Sequence, residues 1–106
     1  MDPLPSPDSH HLMAASGWID LGNYLEANEE LEKISPELRA HPLVLAFRYE
    51  IYAKAQKWDG AVEIAETLVK LLPEESSPWI NWAYSTRRKS GGSISEAKKI
   101  LIEAES

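Results

Sequence analysis

The chain has 106 residues, of which 43% are hydrophobic and 26% charged, and this balance is typical of one ordinary folded domain. Its formal net charge of −6 argues against a nucleic-acid surface, because phosphate binding requires clustered Lys and Arg. The absence of cysteine excludes disulfides, thiolate metal ligands and a cysteine nucleophile.

Hydropathy and charge distribution indicate the cellular location that we expect for the chain. No apolar run approaches the ~18 residues of a membrane span, and no basic leader precedes an apolar stretch. We therefore expect neither a transmembrane helix nor a secretory signal, no membrane partner, and a cytoplasmic protein. The charge is uneven, since residues 1–37 hold eight acids against Lys33 alone, while residues 87–106 hold five bases against three acids.

The first third of the chain predicts an arm and two helices. The opening MDPLPSPDS carries three prolines, which predict an extended arm over residues 1–6. Ser6 and Pro7 predict the start of a helix over residues 7–21, with proline in its first position. Asn23 followed by Glu26 resembles a capping box, and it predicts the start of a second helix.

The middle of the chain predicts two more helices. Pro36 and Pro42 bracket a break, after which apolar residues at helical spacing predict a third helix that ends near Gln56. A fourth helix contains Ala61 and is closed by Pro73.

The last third repeats these start signals. Ser77 and Pro78 predict the start of a fifth helix, and Ser93 with Glu96 predicts the start of a sixth. No segment alternates apolar and polar residues in the manner of a strand. The predicted fold is therefore all-α, with about six helices arranged as three hairpins.

One short sequence pattern occurs three times. Aligning LGNYLEANEEL, QKWDGAVEIAETL and GSISEAKKIL places Ala27, Ala61 and Ala97 in register, 34 and 36 residues apart. In each copy a bulky residue precedes the alanine by three positions, and apolar residues follow it at four and seven positions. A small residue at this point predicts a close crossing of two helices.

The period and pattern resemble the tetratricopeptide repeat, a 34-residue helix-turn-helix unit with the signature W-x2-L-G-x2-Y followed by A-x3-F and a closing proline. The third copy reads Trp79-x2-Trp82-Ala83-x2-Thr86 and then Ala97-x3-Leu101. The second reads Leu45-x2-Arg48-Tyr49-x2-Tyr52, then Ala61-x3-Ala65 and Pro73, and the first reads His11-x2-Ala14-Ala15-x2-Trp18, then Ala27-x3-Leu31. The second copy departs from the pattern, since Arg48 stands where a core leucine is usual and Tyr49 where a small residue is usual.

The resemblance implies a right-handed α-solenoid of three hairpins, over about residues 7–38, 42–73 and 77–105, within a single domain 7–106. In this family the first helices of the hairpins line a concave groove that binds a peptide segment. The matching positions of this chain are Leu12, Ser16, Ile19, Asp20, Ala46, Glu50, Ala53, Lys54, Ile80, Tyr84, Arg87 and Arg88.

Other residue types invite chemical interpretations that the spacing does not favour. His10, His11 and His41 lack the paired i, i+4 spacing of a metal site, and the acidic run from Glu26 to Glu32 is better explained as a solvated helix face. Trp18, Tyr52, Trp58 and Trp79 fall on signature positions, where packing between hairpins is the ordinary role. No G-x-S-x-G, P-loop or G-x-G-x-x-G occurs, so we expect no enzyme and no metal or other cofactor.

The resulting hypothesis is a non-enzymatic protein-interaction module that binds a peptide segment in its groove. The partner segment is expected to be apolar, with acidic residues at the end that meets Arg87 and Arg88. Two alternatives stay open: a structural self-association unit, and a small chaperone like the three-repeat chaperones of bacterial secretion substrates.

The open end of the array carries a further expectation. A solenoid exposes an apolar face wherever it stops without a cap, and this sequence ends soon after ILIEA. We assign Ile94, Ala97, Leu101 and Ala104 to packing within the third hairpin, which leaves Ile100 and Ile102 exposed. A second copy, the proline-rich arm of a neighbour, or a further domain could cover them, and we predict a homodimer formed through the last hairpin.

Overall fold

The fold is all-α over the part of the chain that the structure, a computed structural model, describes, namely residues 5–89 and 93–104. These residues contain no β-strand and six α-helices, so the predicted fold class is confirmed at that level. The helices are α1 (Asp8–Asp20), α2 (Tyr24–Glu32), α3 (Pro42–Lys54), α4 (Trp58–Leu71), α5 (Ser76–Arg88) and α6 (Ile94–Ala104), with a short 3₁₀ helix at Pro36–Leu38.

Helix caps predicted from the sequence are half right. The Asn23 side chain accepts a hydrogen bond from the Glu26 amide, and the Ser93 hydroxyl accepts one from the Glu96 amide, so α2 and α6 begin as predicted. The predicted serine caps of the other two helices are wrong. Pro7 itself is the N-cap of α1, and the N-cap of α5 is Glu75, two residues before Ser77, with no side-chain cap at either helix.

The chain divides into two compact units, with the boundary after Ile51 inside α3. In the first unit α1 packs against α2. Its buried apolar residues are Ala15, Ile19, Ala27, Leu31, Ile34, Val44, Tyr49 and Ile51. The buried carboxylate of Asp8 accepts hydrogen bonds from the amide and hydroxyl of Ser35, and this contact ties the start of α1 to the segment that follows α2.

In the second unit α5 packs against both α4 and α6. Its buried apolar residues are Ala61, Ala65, Leu68, Val69, Ala83, Ala97 and Ile100. The start of α4 lies close to Tyr52, because a Cβ added at Gly60 would stand 2.5 Å from the Tyr52 ring. Only glycine allows this approach.

All three aligned alanines, Ala27, Ala61 and Ala97, are buried as the repeat predicts. The tetratricopeptide assignment and the solenoid arrangement remain predictions, as does the second hairpin, whose first helix crosses the boundary between the two units. The predicted arm at residues 1–6 lies largely outside the described residues, as does the Gly91–Gly92 part of the loop before α6.

The predicted register of α6 is wrong. Ile100 is only 8% exposed and packs in a cluster with Ala83 and Ala97, whereas Leu101 is 42% exposed. Spacings of three and of four residues both place a side chain next to Ala97 on a helix, so spacing alone does not fix the rotation. Packing against Trp79 and Trp82 rotates Ile100 inward, and the expectation of an exposed Ile100 fails.

Among the helices described, none has the length and apolar character needed to cross a membrane.

Candidate functional site

An open groove of about 330 Å³ lies between α5 and α6 in the second unit. The residues that line it are Ile80, Ala83, Tyr84, Arg87, Arg88, Ile94, Ala97, Lys98 and Leu101. Four of them, Ile80, Tyr84, Arg87 and Arg88, are predicted groove residues, so the structure brings this part of the predicted site together.

Helical spacing explains why these side chains share one surface. Ile80, Tyr84 and Arg88 are four residues apart on α5, so they follow one another along a single face. Ile94, Lys98 and Leu101 have the equivalent spacing on α6. The buried alanines Ala83 and Ala97 have small side chains, which let the two helices approach beneath the groove.

The floor of the groove is apolar and exposed. Ile80, Tyr84, Ile94 and Leu101 are all exposed large apolar or aromatic residues. Single exposed apolar side chains are ordinary on protein surfaces, whereas these four line one groove together.

The charged residues of the groove are all basic. Arg87, Arg88 and Lys98 line it together with apolar and aromatic residues, and none of the described residues that line it is acidic. Neither Arg87 nor Lys98 forms an ion pair with any residue in the described ranges. The groove therefore presents uncompensated positive charge beside an apolar floor.

Arg88 is held in place by aromatic rings. Its guanidinium carbon lies 3.4 Å from the centroid of the Tyr84 ring and 5.8 Å from that of Trp58. The two rings contact each other edge to face with centroids 5.6 Å apart. Exposed cation–π contacts contribute about 0.5–1 kcal/mol each, so the two rings favour this placement of the Arg88 side chain.

A second opening, of about 400 Å³, lies at the start of α4. Its lining is mainly polar and charged, and consists of Gln56, Lys57, Trp58, Asp59, Gly60 and Arg88. Arg88 therefore lines both openings, and Trp58, which borders this one, contacts the Tyr84 ring of the α5–α6 groove.

The remaining predicted groove residues belong to other surfaces. Leu12 and Ser16 on α1 and Glu50 on α3 are partly exposed, while Ala46 and Lys54 are exposed. The prediction that Ile19 lines the groove is wrong, because its side chain is buried in the core of the first unit and is not available to a ligand. A continuous groove that joins all three hairpins stays a prediction.

Sequence reasoning missed the contribution of α6 to the groove. Ile94 and Leu101 were assigned to packing within the hairpin, but both are exposed and line the groove beside Lys98. The helical spacing of the apolar residues on α6 could have indicated this surface, but the same spacing also fits residues of the core. Ile102, predicted to mediate self-association, is 65% exposed and does not line the groove.

The histidines serve local contacts. His11 Nδ1 lies 3.0 Å from Glu30 Oε2, and His41 Nδ1 accepts a hydrogen bond from the Leu43 amide. The hydrogen bonds from His11 and then from Lys33 hold the pKa of Glu30 below its ordinary value. Within the described ranges, no cluster of three or more His, Asp or Glu side chains could hold a metal ion.

No protein-family model, curated protein or solved structure matches this chain.

Proposed function

We propose that this chain is a non-enzymatic protein-interaction module whose α5–α6 groove binds an apolar peptide segment that carries carboxylates. The observation that carries the proposal is the combination of an exposed apolar floor with Arg87, Arg88 and Lys98 at its edge and no acidic residue among the described ones that line it. An apolar segment would bury the floor, and its carboxylates would neutralise the bases.

The chemistry of the groove favours binding over catalysis. The described side chains that line it are apolar, aromatic or basic, and none of them is a carboxylate, histidine or cysteine that could serve as a general base or nucleophile. Arginine also suits carboxylate recognition, because its planar guanidinium donates two parallel hydrogen bonds.

The tetratricopeptide-like architecture is part of the proposal. The repeat spacing of the three alanines, their burial, and the packing of α1 on α2 and of α5 on α6 support hairpins of this type. A three-hairpin solenoid would extend the groove beyond the last hairpin. The binding proposal itself needs only α5 and α6.

The test is a selection of short random peptides on the immobilised protein, followed by fluorescence anisotropy with a labelled peptide from the selected pool. The selected peptides are expected to be rich in apolar residues and to carry Asp or Glu. The double variant Arg87→Glu/Lys98→Glu reverses two cations that make no ion pair with described residues. It should weaken binding by about tenfold or more, equivalent to about 1.4 kcal/mol.

The matched control is Lys70→Glu/Lys99→Glu. It makes the same change in net charge at exposed positions outside the groove, and Lys99 is the immediate neighbour of Lys98. The control should bind the peptide as the wild type does. Equal affinity in all three proteins would overturn the proposal, and it would leave Arg87 and Arg88 as residues that only complement the dipole at the end of α5, an effect of about 0.3–1 kcal/mol.

A further inference from the structure

The net charge of the chain resides in one of its units. Residues 1–51 hold nine acids against three bases, whereas residues 52–106 hold eight of each. The first unit therefore carries the whole formal charge of −6, and the second is neutral overall, but the charged residues among the described ones that line its groove are all basic.

The first unit also exposes an apolar surface at the junction of α1 and α2. Met13, Leu21 and Leu25 are 71%, 77% and 71% exposed. Met13, Gly17 and Leu21 follow one another at intervals of four residues along α1 and its C-cap, and nothing lies near the Gly17 Cα on that side. The turn at Gly22, with φ of +77°, separates Leu21 from α2, whose second residue is Leu25.

Carboxylates border this apolar surface. Asp20 precedes Leu21, and Glu29 lies one helical turn after Leu25 on the same face of α2. Both side chains are exposed, and neither forms an ion pair with a residue in the described part of the chain. We call the surface formed by Met13, Leu21, Leu25, Asp20 and Glu29 the acidic corner.

We infer that the α5–α6 groove of one copy binds the acidic corner of a second copy of this chain. This inference rests on the proposed function, because it names the occupant of the same groove. The corner offers what the groove lacks, namely apolar side chains accompanied by unpaired carboxylates. The groove offers apolar residues accompanied by unpaired bases.

Such a contact joins two different surfaces, so it has a defined geometric consequence. After a single contact the pair keeps one free corner, on one copy, and one free groove, on the other, and a contact of this head-to-tail kind produces rings or open chains rather than only a symmetric dimer. Because both partners are charged and exposed, salt should weaken the association.

The experiment is sedimentation velocity at increasing protein concentration and low ionic strength, with two variants that each disable one surface. Arg87→Glu/Lys98→Glu disables the groove and leaves the corner intact. Leu21→Glu/Leu25→Glu disables the corner at exposed positions and leaves the groove intact. The wild type and the Lys70→Glu/Lys99→Glu control should form larger species as concentration rises, and each disabled variant alone should sediment as a monomer.

The decisive sample is a mixture of the two disabled variants. One intact groove and one intact corner then remain in the mixture, so a one-to-one complex should form, and nothing larger should follow because the other two surfaces are both acidic. Monomers in the mixture would overturn the inference, since they would mean that the contact is not groove to corner. Growth by the corner variant alone would overturn it as well.

The peptide assay separates this inference from the proposed function. A wild type that stays monomeric at every concentration but still binds the selected peptide through Arg87 and Lys98 would overturn self-association and leave the binding module standing. A wild type that neither associates nor binds peptide would overturn both. The corner variant should bind the peptide at least as tightly as the wild type, because its altered corner no longer competes for the groove.

Discussion

The hydroxyl of Thr86 is buried on α5, 3% exposed, with no hydrogen-bond partner among the residues that the structure describes. A buried polar atom without a partner costs about 1–3 kcal/mol in desolvation. Thr86→Val replaces the hydroxyl with a methyl of similar size, so we expect the free energy of unfolding to stay unchanged or to rise by up to about 2 kcal/mol. Urea unfolding measures this change.

Thr67→Val is the matched control for this substitution. The Thr67 hydroxyl is exposed and donates a hydrogen bond to the Glu63 carbonyl, so its loss should change the free energy of unfolding by no more than about 0.5 kcal/mol in either direction. A marked destabilisation by Thr86→Val would contradict the assignment of an unpaired hydroxyl.

Glu30 makes the stability of the first unit depend on pH. Hydrogen bonds from His11 and Lys33 lower its pKa in the folded state, so its contribution to stability is present above the pKa of the unfolded chain. That contribution is lost as pH falls through the lowered folded pKa. We expect Glu30→Gln to cost up to about 1 kcal/mol at neutral pH and nothing at strongly acid pH.

Urea unfolding of the wild type and Glu30→Gln over a pH series measures this difference. Glu29→Gln is the control, since it makes the same change in charge at a neighbouring carboxylate that forms no ion pair with described residues. A difference between wild type and Glu30→Gln that is the same at every pH would show that the Glu30 carboxylate does not titrate as described.

The side-chain partners of Arg48 could not be predicted from the sequence. It stands where the repeat pattern has a core leucine, and the structure satisfies its charge with hydrogen bonds to Asn28 and Glu32, each 2.9 Å long. Both partners lie on α2, 20 and 16 residues away, so no local pattern identifies them. The burial of Ile19 has the same origin, because tertiary packing decides which apolar position of a helix faces inward.

At the scale of the element, the predicted register of the repeat is tested most directly at Ala61. Its side chain is fully buried on α4, the helix that packs against α5. Ala61→Leu adds volume where no space exists, so we expect it to lower the free energy of unfolding by about 1–3 kcal/mol. Thermal melts and urea unfolding measure the loss.

Glu63→Leu introduces the same side chain two residues along, at an exposed position of α4. It should leave stability within about 0.5 kcal/mol of the wild type. An Ala61→Leu protein as stable as the wild type would contradict the register that aligns Ala27, Ala61 and Ala97.

The sequence predicted the existence of the helices, but it predicted only in part which face of each helix is buried. Proline, glycine and capping residues separate the segments, and each of the six segments contains one helix, although the starts of α1 and α5 differ from the predicted ones. In α4 the buried positions Ala61, Ala65 and Leu68 follow the predicted register. In α6 the predicted register fails, because Trp79 and Trp82 on another helix select Ile100 over Leu101.

At the scale of the whole molecule, the proposed binding surface follows from that rotation. With Ile100 turned inward, Leu101 and Ile94 turn toward α5 and complete an apolar groove beside Arg87, Arg88 and Lys98. The sequence pointed to the α5 half of this site through the repeat pattern. The α6 half could not be predicted, because it depends on which of two adjacent apolar residues the core accepts.

The central claim is that the α5–α6 groove is where this protein binds its partner. Chemical-shift mapping by NMR, with the isotope-labelled corner variant Leu21→Glu/Leu25→Glu and a peptide from the selected pool, tests it most directly without interference from self-association. We predict that the largest shift changes fall on groove residues, with Ile80, Tyr84, Lys98 and Leu101 among them, and that residues of α1 and α2 stay unchanged. Shift changes centred on α1, α2 or the exposed face of α3, with the groove residues unmoved, would contradict the account.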